Sequence, residues 1–142
     1  MNPVKEAVGK FTNGHSCSTA ILSSFAKKYG FDEKLAIKLA SGFGGGMARK
    51  ADTCGAVTGA IMVIGLHYCN GPDAKEIIYG QVQQFMKIFS ERNGSIYCRE
   101  LLPVNISIED ERNYAEEQNL FQTKCTEFVR DAAGILPELL SE

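Results

Sequence analysis

Apolar residues recur at spacings of three and four along nearly all of this chain, and no short stretch alternates well enough to make a strand. Asn2-Pro3 reads as a cap followed by proline at the first helical position, opening a short helix that ends near Asn13-Gly14. Ser16 caps a second helix, with Ala20, Ile21, Phe25 and Ala26 on its apolar face and Gly30 as its stop. Asp32 caps a third, placing Leu35, Ile37, Leu39 and Ala40 inside, before the glycine cluster Gly42 to Gly46. A fourth starts at Asp52 or Thr53 and runs to about Cys69, closed by Asn70-Gly71. A long fifth begins at Pro72-Asp73, repeats Ile77, Ile78, Val82, Phe85, Met86 and Phe89 on one face, and ends at Asn93-Gly94. Ser95 caps a short helical turn through Leu101, ahead of Pro103. Ser107 opens an acidic segment, and Leu120 to Ala133 form a last helix, with Gly134 and Pro137 punctuating a short tail. The pattern predicts an all-α protein, an irregular single-domain helical bundle of about six to eight helices over residues 1–142.

Composition agrees with a folded chain: 44% of residues are apolar and 23% charged, enough for one proper core. The net charge of −2 comes without a basic run, which argues against nucleic acid and anionic membranes as partners. The first residues carry no apolar export segment, and the most apolar stretch, residues 55–69, is too short to span a bilayer. The expectation is therefore a cytoplasmic protein, in a reducing compartment where structural disulfides are rare. Against that background five cysteines call for an explanation. They number an odd set, Cys17, Cys54, Cys69, Cys98 and Cys125, and no C-x-x-C pair occurs among them.

Their positions on the expected helices are informative. Cys17 follows the cap Ser16, Cys54 follows Asp52-Thr53, and Cys98 lies three residues after Ser95. Three of the five thus fall in the first turn of a helix, where free amides and the helix dipole favour a thiolate. A thiolate is both the nucleophile of disulfide exchange and the form that binds metal. His15, Arg49 and Arg99 lie close in sequence and could add positive charge. Cys125 lies mid-helix between Phe121 and Phe128, on the interior stripe, and Cys69 ends a helix. The competing reading is that cysteine packs as a small hydrophobe, and for Cys69 this is the expected role.

Gly44-Gly45-Gly46 can turn freely and present consecutive amides to an anion or to sulfur. No Gly-Lys-Ser/Thr follows and no strand precedes, so neither phosphate-loop nor dinucleotide motif is met. Gly55 and Gly59, with Ala56 and Ala60, put small residues along a helix, for close packing or for the approach of a bound group. His67 reads as a surface or hydrogen-bonded histidine, and Glu109-Asp110-Glu111 and Glu116-Glu117 as solvated faces.

Taken in order, Cys17, GFGGGMAR, Cys54-Gly55-Ala56-Val57-Thr58-Gly59, Cys98-Arg99-Glu100-Leu101 and Cys125 resemble the C_GCAxxG_C_C family over essentially the whole chain. That label writes Gly-Cys-Ala where this chain reads Cys-Gly-Ala. The resemblance implies redox or metal chemistry and assigns Cys17, Cys54, Cys98 and Cys125 to the family's four cysteines, leaving Cys69 outside. Two functional expectations follow. One is a thiol-based oxidoreductase without a cofactor, in which Cys54 attacks a disulfide or peroxide-type substrate and Cys17 or Cys98 resolves the product, with Gly44, Gly45, Gly46, Gly55 and Gly59 giving close access and backbone donors. The other is an electron-transfer module whose four cysteines hold zinc or an iron–sulfur cluster. A helical scaffold or homo-oligomer whose cysteines only pack is the third. The partner is expected to be a redox protein or a small-molecule substrate.

Overall fold

Short polar side chains open the first three helices. Asn2 accepts from the Val4 amide, Ser16 Oγ from Thr19, and the Asp32 carboxylate from Leu35. These caps start α1 (Pro3–Thr12), α2 (Cys17–Ala26) and α3 (Glu33–Ala40) with one of the otherwise unbonded amides satisfied. The elements belong to a computed structural model that describes residues 2–140, and the described residues contain no strand. The remaining helices are the irregular glycine turn α4 (Gly44–Met47), α5 (Gly55–Tyr68), α6 (Lys75–Asn93), α7 (Cys98–Leu101), α8 (Glu109–Glu117) and α9 (Thr126–Leu139). The protein is all-α, as its periodicity predicts. Among the described residues no helix is long and apolar enough to cross a membrane.

Helix α2 is the axis of the fold, with every residue from Ser18 to Ala26 buried and α1, α3, α5 and α9 packed around it. Its hydroxyls are mostly hydrogen-bonded in place: Ser18 Oγ donates to the Ala40 carbonyl at 2.9 Å and Ser23 Oγ to that of Thr19 at 2.7 Å. Helix α5 crosses α2 so closely that a Cβ at Gly59 would stand 2.9 Å from the Ser18 carbonyl oxygen and 3.0 Å from Ile21 Cβ. Helix α3 corrects an expectation. Leu35 and Leu39 are 45% and 54% exposed, while Ala36 and Ala40 are fully buried. The small pair, one turn apart, lets α3 approach α2 and turns the leucines outward.

Phe85 and Phe89 of α6 are fully buried, and Phe89 packs edge-on against Phe128 of α9 with ring centroids 6.4 Å apart. The chain end differs from the sequence expectation, because α9 continues through Gly134 and Pro137 to Leu139. Pro137 withholds an amide from the helix, yet Ile135, Leu136 and Leu140 are buried around it, and that burial offsets the loss. The Tyr68 hydroxyl also donates to the Leu139 carbonyl. Ahead of α9, Phe121–Cys125 form a π-helical turn. His67 Nδ1 lies 3.0 Å from the Tyr29 hydroxyl, in keeping with the hydrogen-bonded reading.

Candidate functional site

The segment between α3 and α5 forms a strap of unusual handedness. Gly45, Gly46, Met47, Ala48 and Arg49 are consecutive left-handed residues, with φ of 65, 69, 68, 54 and 65°, and Ala51 follows at 59°. A side chain in this conformation costs roughly 1–2 kcal/mol per residue, so the surroundings must hold it. Ala51 N–H donates to the Gly45 carbonyl at 3.2 Å and Asp52 N–H to that of Gly46 at 2.9 Å. Glycine is required at 46, where a Cβ would stand 2.6 Å from the Asp52 nitrogen. At Gly44 a Cβ would stand 2.8 Å from Ser16 Cβ, which shows how closely the strap lies on the start of α2.

Beyond the strap, two cysteines are fixed by their own backbone. Thr53 and Tyr97 form an isolated antiparallel bridge. On either side of it Cys54 N–H donates to the Ile96 carbonyl at 2.8 Å and Cys98 N–H to the Asp52 carbonyl at 2.7 Å. Side chains alternate along such a pair, so Cys54 and Cys98, each one residue past the bridge, fall on the same side. Cys17 enters from the first position of α2 and Cys125 from the end of the π-helical turn. All four line one cavity of about 560 Å³. Cys54, Cys98 and Cys125 are 6%, 8% and 9% exposed, Cys17 is half-buried, and all are free thiols.

The four sulfurs are not equivalent. Cys54 is the N-cap of α5, so its sulfur sits at the positive end of the helix near the Ala56 and Val57 amides, the latter also donating to the Cys54 carbonyl at 2.9 Å, and the Cys17 thiol is its neighbour. The Cys17 hydrogen bond, with those two amides, outweighs burial and holds Cys54 below the ordinary thiol value. The same hydrogen bond, which uses the Cys17 proton, together with burial and the neighbouring sulfurs, drives Cys17 well above it. Burial, then the charge at Cys54, pushes Cys98 up to about 12. Burial raises Cys125 further, with Cys54 and Cys98 adding to it. One thiolate is favoured, with a proton-bearing thiol in contact.

Of the glycines singled out in the sequence, Gly44, Gly45, Gly46 and Gly55 line the cavity. At Gly55 a Cβ would lie 3.1 Å from Cys17 Cβ, so glycine there lets the two cysteines meet. Gly59 is not on the cavity wall and serves the α2–α5 contact. Arg49 lines the cavity, whereas His15 and Arg99 do not; Arg99 donates to the Ala51 carbonyl and lies over the Tyr97 ring. Cys69 is exposed, so it does not pack as a small hydrophobe. The helix ends at Cys69 and leaves it at the surface. Sequence reading missed Arg112 and Glu116, one turn apart on α8, and the apolar wall of Phe11, Ile106 and Phe121. The Arg112/Glu116 spacing is the one signal that could have found the α8 pair. Among the described residues no group of three or more His, Cys, Asp or Glu is gathered as a ready ligand set for one metal ion.

Fold and site together define a small helical protein built around a cavity of free cysteines. The family described as "Putative redox-active protein (C_GCAxxG_C_C)" matches residues 15–139, and the chain belongs to it. No curated protein and no solved structure matches this chain.

Proposed function

We propose that the protein is a dithiol oxidoreductase in which Cys54 is the nucleophile and Cys17 the resolving thiol. The observation that carries this reading is the placement of Cys54 at the N-cap of α5 beside Cys17 at the start of α2, both on one cavity wall, where a Cβ at the adjacent Gly55 would stand only 3.1 Å from Cys17 Cβ. The Cys54 thiolate attacks one sulfur of a substrate disulfide; a Cys54–substrate disulfide forms, the substrate S–S bond breaks, and the departing thiolate takes a proton from Cys17 or solvent. The Cys17 thiolate then attacks Cys54 Sγ, forming the Cys17–Cys54 disulfide and releasing the second substrate thiolate. The substrate gains two electrons and the protein dithiol loses two. Cys98 and Cys125, with raised proton affinities, stay protonated beside this pair.

The test is a single turnover of reduced protein with a disulfide in the absence of oxygen. Cys17→Ser should accumulate a mixed disulfide on Cys54, and Cys54→Ser should not react at the cavity; a mixed disulfide forming on Cys98 or Cys125 instead would sink the assignment. A second reading starts from the four cysteines lining one cavity: a four-thiolate site for zinc or an iron–sulfur cluster, whose binding would have to draw together sulfurs that, among the described residues, are not gathered as a ready ligand set. In that case Cys17, Cys54, Cys98 and Cys125 would supply the ligands and the bound group an electron-transfer centre. Iron with acid-labile sulfide, or stoichiometric zinc, lost in Cys125→Ser, would establish it.

A further inference from the structure

The cavity also carries information about what Cys54 attacks, and here the inference rests on the dithiol reading above. Displacement at a disulfide needs the attacking sulfur in line with both substrate sulfurs, so the substrate S–S bond must reach the nucleophile itself. Cys54 lies 6% exposed in the wall of a cavity of about 560 Å³. That volume is in the range that encloses a small molecule. A disulfide held in a folded protein's surface cannot be brought to a sulfur so buried.

The wall charges narrow the class further. Arg49 reaches the cavity from the strap and Arg112 from α8, and neither is in an ion pair among the described residues. Arg112 Nη1 donates to the Ile106 carbonyl at 3.0 Å, which fixes the guanidinium and leaves its other N–H groups unassigned. Against these two cations, Arg49 exposed and Arg112 half-buried, the lining holds one carboxylate, the exposed Glu116, so the wall carries a net positive charge. Phe11, Phe121, Phe128, Leu101, Leu102 and Ile106 make the remainder of the wall largely apolar. An apolar cavity with two guanidiniums outside any ion pair among the described residues, set against one carboxylate, fits a ligand with a hydrocarbon body and carboxylate ends. We propose that the substrate is a low-molecular-weight disulfide bearing carboxylates, bound through Arg49 and Arg112 with its S–S bond at Cys54.

The pre-reduced protein supplies both electrons: the ligand's S–S bond breaks, two small carboxylate thiols leave, and the Cys17–Cys54 bond forms. Three probes of similar size separate charge from shape: dithiodipropionate, hydroxyethyl disulfide and cystamine, which are dianionic, neutral and dicationic. Each single-turnover rate is divided by that probe's rate with free mercaptoethanol, which removes intrinsic reactivity. The normalised rate should be at least about tenfold higher for the dianion than for the neutral probe, and lowest for the dication. Arg49→Gln and Arg112→Gln should each lower the dianion-to-neutral ratio several-fold, whereas Arg130→Gln, whose guanidinium pairs with Glu127 away from the cavity, should leave it unchanged. Both rates are read on the same protein, so the ratio does not depend on how much of a variant is folded. Equal normalised rates for the three probes, or a ratio unmoved by both arginine variants, would overturn the substrate class and leave the dithiol chemistry standing. Reduced protein that reacts with none of the three would overturn both.

Discussion

Two glycine-to-alanine changes six residues apart on α5 should act in opposite directions. In both, alanine gains helix propensity, by about 1 kcal/mol in an open site. At Gly65 nothing lies within 4 Å of the added Cβ, so most of that gain should appear as stability. At Gly59 the Cβ would meet the Ser18 carbonyl oxygen at 2.9 Å, Ile21 Cβ at 3.0 Å and Ser18 Cα at 3.1 Å, where ordinary contacts begin at 3.4 Å. Helices α2 and α5 must then part by about half an ångström along this line. Overpacking of this kind costs about 1–3 kcal/mol, and two of the three atoms are backbone, which cannot swing aside. The net expectation is a loss of up to about 2 kcal/mol for Gly59→Ala and a gain of up to about 1 kcal/mol for Gly65→Ala. Urea denaturation under reducing conditions measures both as shifts in midpoint at constant slope. Because Ser18 adjoins Cys17, the same displacement should move Cys17 from Cys54 and slow alkylation at Cys54. A Gly59→Ala protein as stable as Gly65→Ala would refute the close contact between α2 and α5, and with it the account of how the two cysteines are held together.

Other consequences concern the strap and the thiols. Gly46→Ala places a Cβ 2.6 Å from the Asp52 nitrogen at a φ of 69°, and should cost at least about 2 kcal/mol in the same denaturation assay, with Cys54 reactivity lost alongside. Cys98, raised to about 12 in the folded chain, binds its proton more tightly there than when unfolded. Its stabilising contribution is therefore complete below the ordinary thiol range and lost as pH rises toward 12. By pH 11 it should have fallen by about 3 kcal/mol, and Cys98→Ser should flatten that alkaline decline. Cys17 and Cys125, also raised, act in the same direction, and Cys54 opposes them. Cys69→Ser, at an exposed position outside the cavity, should change stability by less than about 0.5 kcal/mol and leave disulfide reduction intact.

Much of this was legible from local chemistry. Asn2, Ser16 and Asp32 announce their helices because capping is a contact between residues two or three apart. The placement of Cys54 at a helix start was legible for the same reason, since the cap position and the first turn are sequence neighbours. What failed depended on partners far along the chain. Which face of α3 is buried is decided by α2, whose close approach selects Ala36 and Ala40 over two leucines. Pro137 stays helical because burial of Ile135 and Leu136 outweighs its local preference. The left-handed run at Met47, Ala48 and Arg49 leaves no trace in residue type, because the fold enforces it on residues that resist it. Arg112 drew no reading from the sequence, lying between acidic residues taken as solvated, and only its place on the folded α8 brings it to the cavity.

The most direct test of the account is the pH dependence of alkylation at each cysteine, resolved by peptide mass spectrometry on the reduced protein in a Cys69→Ser background. Cys54 should react first and titrate below an ordinary thiol, Cys17→Ala should move that titration upward by removing its hydrogen-bond donor, and Cys98 and Cys125 should stay unreactive to high pH. A Cys54 that titrates at or above the ordinary value, or is unmoved by Cys17→Ala, would contradict the central claim.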